Sequence, residues 1–306
     1  MWEKPIGFKS YILGSQSREK QGFTLVELLV VISIVSVLMG ILIPVLATAR
    51  RQARIALCIV NQRHIVNALS LYSTDNDARY PDSVAIITFG SNWHWQEPTM
   101  MTACKRRPSH THRSMSAYLH SYIEDASIMF CPSAPVKYEY LQRAWDTGDE
   151  WDNPETSFPS DPVFGTYCFY YNYVGFLPDH TDPFRGPRNS FGEPGQSTLL
   201  VSDYFGYDHH RSPNAYGSCE QFTGAGLTPG TEVSSAYWSS LKSEQVNLNT
   251  IDVKLHAGYN DGHVESFRAS EVVPMKVSTT PDGSVPYPDG VGLGPGDFFL
   301  PANGLR

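Results

Sequence analysis

The sequence predicts an α+β protein in which one long amino-terminal helix packs, through its second half, on an antiparallel β-sheet. Two observations carry this. Residues 23–49 form an unbroken apolar run with a single charge, Glu27, and residues 50–72 follow without Gly or Pro in a helical rhythm. From Tyr80 onward the texture changes to short apolar runs between turn formers, as strands and loops do. Composition sets the bounds. With 41% hydrophobic and 18% charged residues this is a folding chain, and 306 residues bury a core without staples. The formal net charge of −8 argues against a nucleic-acid partner, which a basic stripe would serve.

Residues 1–22 are polar and mildly basic, with Lys4, Lys9, Arg18 and Lys20 against Glu3 and Glu19. The apolar run follows. At ~1.5 Å per residue, Phe23 to Pro44 covers about 33 Å as a helix, and a hydrocarbon core is ~30 Å thick. Arg50 and Arg51 end the run. Ala47-Thr48-Ala49 offers a secretory cleavage site, but the run exceeds the usual ~7–15-residue apolar core of a signal peptide and holds Glu27 inside its start. A plain membrane anchor leaves Glu27 unexplained, since an acid in lipid costs ~2.5–3.5 kcal/mol on insertion scales. Pro44 removes one helical hydrogen bond and is expected to kink or locally melt the helix. Lys and Arg are balanced on the two sides of the run, so charge alone leaves its orientation open.

In residues 50–74 the positions Ile55, Cys58, Ile59, Gln62, Ile65, Val66, Leu69 and Tyr72 share one helix face, which is expected to pack on the sheet. Leu57, Val60 and Leu71 fall on a second, mixed face, either half-buried or touching neighbouring helices. Ser73-Thr74-Asp75-Asn76-Asp77 is a cluster of cap and turn formers that stops the helix. Expected strands are Val84–Phe89, Gly165–Val174, Ser197–Asp203, Thr250–His256 and Gly262–Phe267, with a short helix over Arg113–Tyr122. Residues 147–162 and 178–196 read as surface loops. Residues 279–306, rich in Gly and Pro, read as an irregular tail tacked down by Phe298-Phe299-Leu300.

Gly22-Phe23-Thr24-Leu25-Val26-Glu27 resembles the processing site of type IV prepilins and type II secretion pseudopilins. The resemblance implies that a prepilin peptidase cuts after Gly22 and methylates the new amine on Phe23. Glu27 then lies in the first turn of the mature chain, and Pro44 falls where the family often carries a helix-loosening proline. There is a physical reason for the acid. Cleavage creates a cation in an apolar assembly, and a carboxylate from a neighbouring subunit would neutralise it. Loss of a leader of net charge +2 would leave the mature chain at −10.

Later segments resemble large pilin-like proteins with a carboxy-terminal Asp-Gly-His motif, of the planctomycete and verrucomicrobial type. They are Tyr72…Asp75-Asn76…Tyr80-Pro81, Phe130-Cys131-Pro132-Ser133, Gly165-Thr166-Tyr167…Tyr171-Asn172-Tyr173, Ser197–Asp203 and Asn260-Asp261-Gly262-His263-Val264. The family usually places a His ten residues before the Asp of that last motif. Here Ile251 holds that position, and His256 stands five before Asp261. Asp261-Gly262 is also an ordinary hairpin turn.

The resemblance divides the chain into a leader (1–22), a transmembrane or filament-core helix (23–49), its amphipathic continuation (50–74), an α+β globular domain (75–278) and the tail (279–306). It implies a single-pass inner-membrane protein with a cytoplasmic amino terminus and a periplasmic or filament-borne globular domain. Its implied partners are the prepilin peptidase, other pilin or pseudopilin subunits and an inner-membrane assembly platform, in type II secretion or a type IV pilus-like system. The alternative is a minor tip or surface-displayed protein holding glycans or secreted cargo through aromatics such as Trp93, Trp95, Trp145 and Trp151.

Major pseudopilins fix a loop with Ca2+, which makes Asp75, Asn76 and Asp77 calcium candidates; capping and turns account for the same residues without metal. No other cofactor is expected. The chain has no HExxH, C-x-x-C, G-x-S-x-G, P-loop or G-x-G-x-x-G, so no enzyme is expected. Of five cysteines, Cys58 on the sheet-facing stripe and Cys131 in the Cys-Pro element form the preferred disulfide pair; buried reduced thiols are the alternative.

Overall fold

The computed structural model describes residues 24–89, 92–95, 98–101, 114–132, 145, 165–177, 180–206, 216–217, 220–221, 254–278, 286–287 and 298–305. The chain divides into two compact units, Met1–Arg51 and Gln52–Arg306. Helix α1 (Leu25–Asp75) supplies residues to both and remains helical through Pro44, so the expected local melting is absent. In the first unit its apolar side chains are all exposed, Leu25 to Leu46 included. Apolar surface on that scale is a binding surface rather than a core. The hydroxyls within the run are satisfied by the helix: Ser33 donates to the Val30 carbonyl (2.7 Å), Ser36 to Ile32 (2.7 Å) and Thr48 to Pro44 (3.1 Å).

The second unit contains the rest of α1, a short helix α2 (Met115–Leu119) and strands in three sheets. In chain order the strands are β1 (Ile86–Phe89), β2 (Asn92–Trp95), β3 (Tyr167–Phe169), β4 (Val174–Phe176), β5 (Phe184–Arg185), β6 (Leu199–Asp203) and β7 (Phe205–Gly206). They continue as β8 (Tyr216–Gly217), β9 (Glu220–Gln221), β10 (Lys254–Tyr259), β11 (Val264–Arg268), β12 (Val272–Ser278), β13 (Pro286–Tyr287) and β14 (Phe298–Pro301). β1 and β2 form a hairpin. A four-stranded sheet runs β11-β10-β6-β3, and a larger one runs β5-β4-β12-β14-β7-β8-β9 with β13 beside β12. All of these pairings are antiparallel.

In the four-stranded sheet β3, β6 and all of β10 but Lys254 are buried on both faces, whereas edge strand β11 buries only Phe267, and side-chain alternation sorts the buried residues between two cores. Tyr167 and Phe169 join the core that contains Ile65, Val66 and Leu69 of α1. Cys168 joins the second core, with Leu255, Ala257, Tyr259 and the residues of β14. The register of β6 against β10 shifts at Gly258/Tyr259, leaving Leu200 as the extra residue. Leu200 and Val201 consequently both reach the helix-side core while Leu199 reaches the other. The helix lies close here. A Cβ on Gly258 would stand 2.6 Å from Val66 Cγ2, so only glycine fits.

The sequence expected one strand over Gly165–Val174, but the structure has two, β3 and β4. Asn172 separates them in a left-handed conformation (φ 51°), and its amide donates to the carbonyls of Tyr80 (3.1 Å) and Pro81 (2.8 Å). The exit of α1 is thereby tied to the sheet. β10 extends to Tyr259, beyond the expected His256, while residues 250–253 lie outside the described set. The tail also differs from expectation. Phe298–Pro301 is a buried strand inside the larger sheet, because its consecutive apolar side chains complete the core between the sheets. Residues 147–162 lie outside the described residues.

Candidate functional site

Gly22 and Phe23 lie outside the described residues. Just after them, Thr24 and Glu27 form a reciprocal cap. Thr24 donates to Glu27 Oε2 from its backbone N–H and from its hydroxyl (2.8 Å each), and Glu27 N–H donates back to Thr24 Oγ1 (3.2 Å). Thr-x-x-Glu before an apolar run is the local sequence signal of this capping box. The acid therefore has a local partner. It satisfies amide and hydroxyl donors at a helix start, where such groups lack partners. Pro44 lacks the N–H that would bond the Gly40 carbonyl, and the missing bond falls at a residue with no side chain to crowd.

The second constellation lies beneath the lower half of α1. Asp203, at the end of β6, is buried and accepts from Gln62 Nε2 on α1 (2.8 Å), from the backbone N–H of His256 on β10 (2.9 Å) and from the His256 ring Nδ1–H (2.8 Å). Gln62 also donates to the His256 carbonyl (3.3 Å). One amide thus ties the helix to two adjacent strands. In the sequence the three residues stand far apart, and no local pattern joins them.

The same place decides the cysteines. Cys58 is disulfide-bonded, whereas Cys131 and Cys168 are buried thiols outside any disulfide, so the expected Cys58–Cys131 bridge is corrected. The partner of Cys58 lies outside the described residues. The Cys131 segment meets α1 through Asn61, which donates to the Phe130 carbonyl (3.1 Å), and the Tyr167 hydroxyl reaches both that carbonyl (3.4 Å) and Cys58 Sγ (3.3 Å). Sγ also lies 3.4 Å from Asp203 Oδ1. A disulfide sulfur has no proton to donate, so that contact is packing.

At the end of α1, Asp75 accepts from the Tyr122 hydroxyl (2.8 Å) and Asn76 donates to the Tyr72 carbonyl (2.8 Å). Asp77 and Ala78 are left-handed, and Ala78 N–H closes back on the Ser73 carbonyl (2.8 Å). These contacts make a helix stop. Among the described residues no group of three or more His, Cys, Asp or Glu side chains is placed to hold a metal ion.

Asn260 to His263 turn the chain between β10 and β11, with Gly262 at φ 91°. Asp261 accepts from the backbone N–H of His263 (3.1 Å) and from its ring, which stacks on Tyr259 with centroids 4.5 Å apart. Burial pushes the Asp261 carboxyl up, but the His263 contacts outweigh it and hold the group below its ordinary value. Of the aromatics named for ligand holding, Trp145 is buried, its indole N–H donating to the Ile123 carbonyl, and is removed from that role. Trp93 and Trp95 lie on β2, and Trp151 lies outside the described residues.

The amino-terminal half of α1 is a capped, exposed apolar helix, long and apolar enough to cross a membrane. Residues 17–43 match the prokaryotic N-terminal methylation motif. Over 73 residues the chain is 36% identical to the type IV wide pilus major component PilA4 of Thermus thermophilus, a span of 24% of this chain and 56% of that protein. The chain thus spans about half the length of that curated relative. No solved structure matches it. Over that span the chain resembles a type IV pilin.

Proposed function

We propose that this chain is a filament subunit, cut after Gly22 by a prepilin peptidase, methylated on the Phe23 amine and assembled with other pilin or pseudopilin subunits. The observation that carries this is the join of the methylation motif to the apolar first half of α1, where Leu25 to Leu46 are all exposed. In this reading the chain is single-pass in the inner membrane, the globular unit is periplasmic, and an inner-membrane platform extracts the subunit in type II secretion or a type IV pilus-like system. The role is mechanical rather than enzymatic.

Thr24 holds the Glu27 carboxyl beside the first peptide of the mature chain, in its own capping box. The acid is thereby pre-oriented before a second subunit arrives. A neighbouring amine then adds charge to a carboxyl whose rotamer is already set, which lowers the ordering cost of docking.

The intact mass and amino-terminal sequence of the mature protein test the reading. The expected chain begins at N-methyl-Phe23, and a Glu27→Ala variant is cut but recovered as unassembled subunit. A mature terminus elsewhere, such as after Ala49, refutes the filament reading.

A further inference from the structure

Among the described residues from Gln52 onward, four large apolar side chains stand exposed: Leu57 (52%), Val60 (45%), Leu71 (56%) and Phe191 (87%). Leu57 and Val60 are three apart on α1 and so form one ledge. Arg54 and Arg63 continue the same three-residue row on either side, both exposed. Leu71 stands about three turns further along.

Phe191 is of a different kind. It crowns a surface loop that is braced from within. Asn189 Oδ1 accepts the Phe191 N–H (3.1 Å), and Asn189 Nδ2 donates to Glu193 Oε1 (2.8 Å). Gln196 Nε2 donates to Glu193 Oε2 (2.7 Å), and Gln196 Oε1 accepts from the N–H of Arg188 at the loop base (3.1 Å). The loop is pinned to the end of α1, where Ser190 N–H donates to the Ala78 carbonyl (2.9 Å) and Tyr80 N–H to that of Arg188 (3.0 Å). An aromatic ring held out on a fixed polar frame loses little freedom on docking, which is the design of an interface anchor.

We infer that Phe191 of one copy seats on the Leu57–Val60 ledge of another copy of this chain; this rests on the filament reading above. Two observations select a second copy as the occupant. The ledge lies on the same helix as the exposed apolar run that, in the filament reading, packs against other copies. Charge matches, since exposed Glu193 stands beside the ring and Arg54 and Arg63 bracket the ledge. The knob and the ledge also lie at opposite ends of the lower half of α1, about 22 Å apart by helical rise from Val60 to Asp75. Where each such contact leaves the other patch of both copies open, it propagates as an array, the symmetry a filament requires.

The test places the photo-crosslinker benzoyl-phenylalanine at position 191 of the full chain, in cells producing the assembled protein. Irradiation is expected to give a dimer whose linked peptide contains Leu57 and Val60. The reverse probe at position 57 is expected to trap the 185–196 segment. Phe191→Ser is expected to lower sheared filament at least tenfold while the amino terminus is still cut at Phe23. Filaments that form with crosslinks only to Leu71, to another segment or to another protein, or with full yield from Phe191→Ser, overturn this inference and leave the filament reading standing. Absence of filaments from the unaltered chain, or a mature terminus other than Phe23, overturns both.

Discussion

The carboxyl of Asp203 and the ring of His256 meet at 2.8 Å with both side chains out of water, and the helix amide of Gln62 closes on the same carboxyl from above. Donors on two secondary-structure elements thus share one acceptor. Asp203→Ala would leave the Gln62 amide, the His256 N–H and the His256 ring without it. Buried donors left so cost ~1–3 kcal/mol each before relaxation, so a loss of about 3–5 kcal/mol is expected. Urea unfolding of the globular unit measures it. A double-mutant cycle of Gln62→Ala with Asp203→Asn should return a coupling above 0.5 kcal/mol, the threshold for residues in one network.

Gly258 lets the helix lie against β10. Gly258→Val is expected to cost about 1–3 kcal/mol by overpacking against Val66. Val66→Ala in the same chain should recover part of that loss. Thermal unfolding of the two single variants and the double variant shows whether the contact is the cause.

Tyr80 is expected to contribute to an alkaline loss of stability, beside Tyr170, Tyr171 and Tyr259, whose phenols burial also pushes up. Burial pushes its phenol up to about 12, against an ordinary value near 10. The folded chain holds that proton more tightly than the unfolded one. The contribution is whole below pH ~10 and is lost as pH rises toward ~12, at about 2–3 kcal/mol in all. Among the described residues the Tyr80 hydroxyl has no hydrogen-bond partner. Tyr80→Phe is therefore expected to change stability little at neutral pH and to move the alkaline unfolding midpoint upward.

Thr24→Ala removes the hydroxyl of the capping box and should loosen the start of α1 by about 1 kcal/mol, while Thr24→Ser should not. Amide exchange over the first helical turn, in detergent, is expected to quicken about fivefold in the alanine variant alone.

Alkylation of the unfolded protein without reductant is expected to label Cys131 and Cys168 and to spare Cys58. Peptide mapping then names the residue bridged to Cys58. Recovery of labelled Cys58 from oxidised protein would contradict the structure.

The helix, its apolar half and the processing motif were legible in the chain because their signals are local. An unbroken run, a 3.6-residue rhythm and six consecutive residues need no distant partner to be recognised. The capping box was equally local and could have been read from Thr24 and Glu27. The turn at Asp261-Gly262 was also visible, since its chemistry lies within four residues. What sequence left open lay between distant positions. Gln62 and Asp203 are 141 residues apart and Asp203 and His256 are 53 apart, and no periodicity announces that they share one acceptor. The bulge that turns Leu200 toward the helix, the glycine beneath Val66, the strand made from a Pro- and Gly-rich tail and the bridging of Cys58 while Cys131 stays a thiol belong with them. Burial of polar groups and close approach of backbones are settled by which surfaces fold together, and that pairing exists only once the strands are in register beneath the helix.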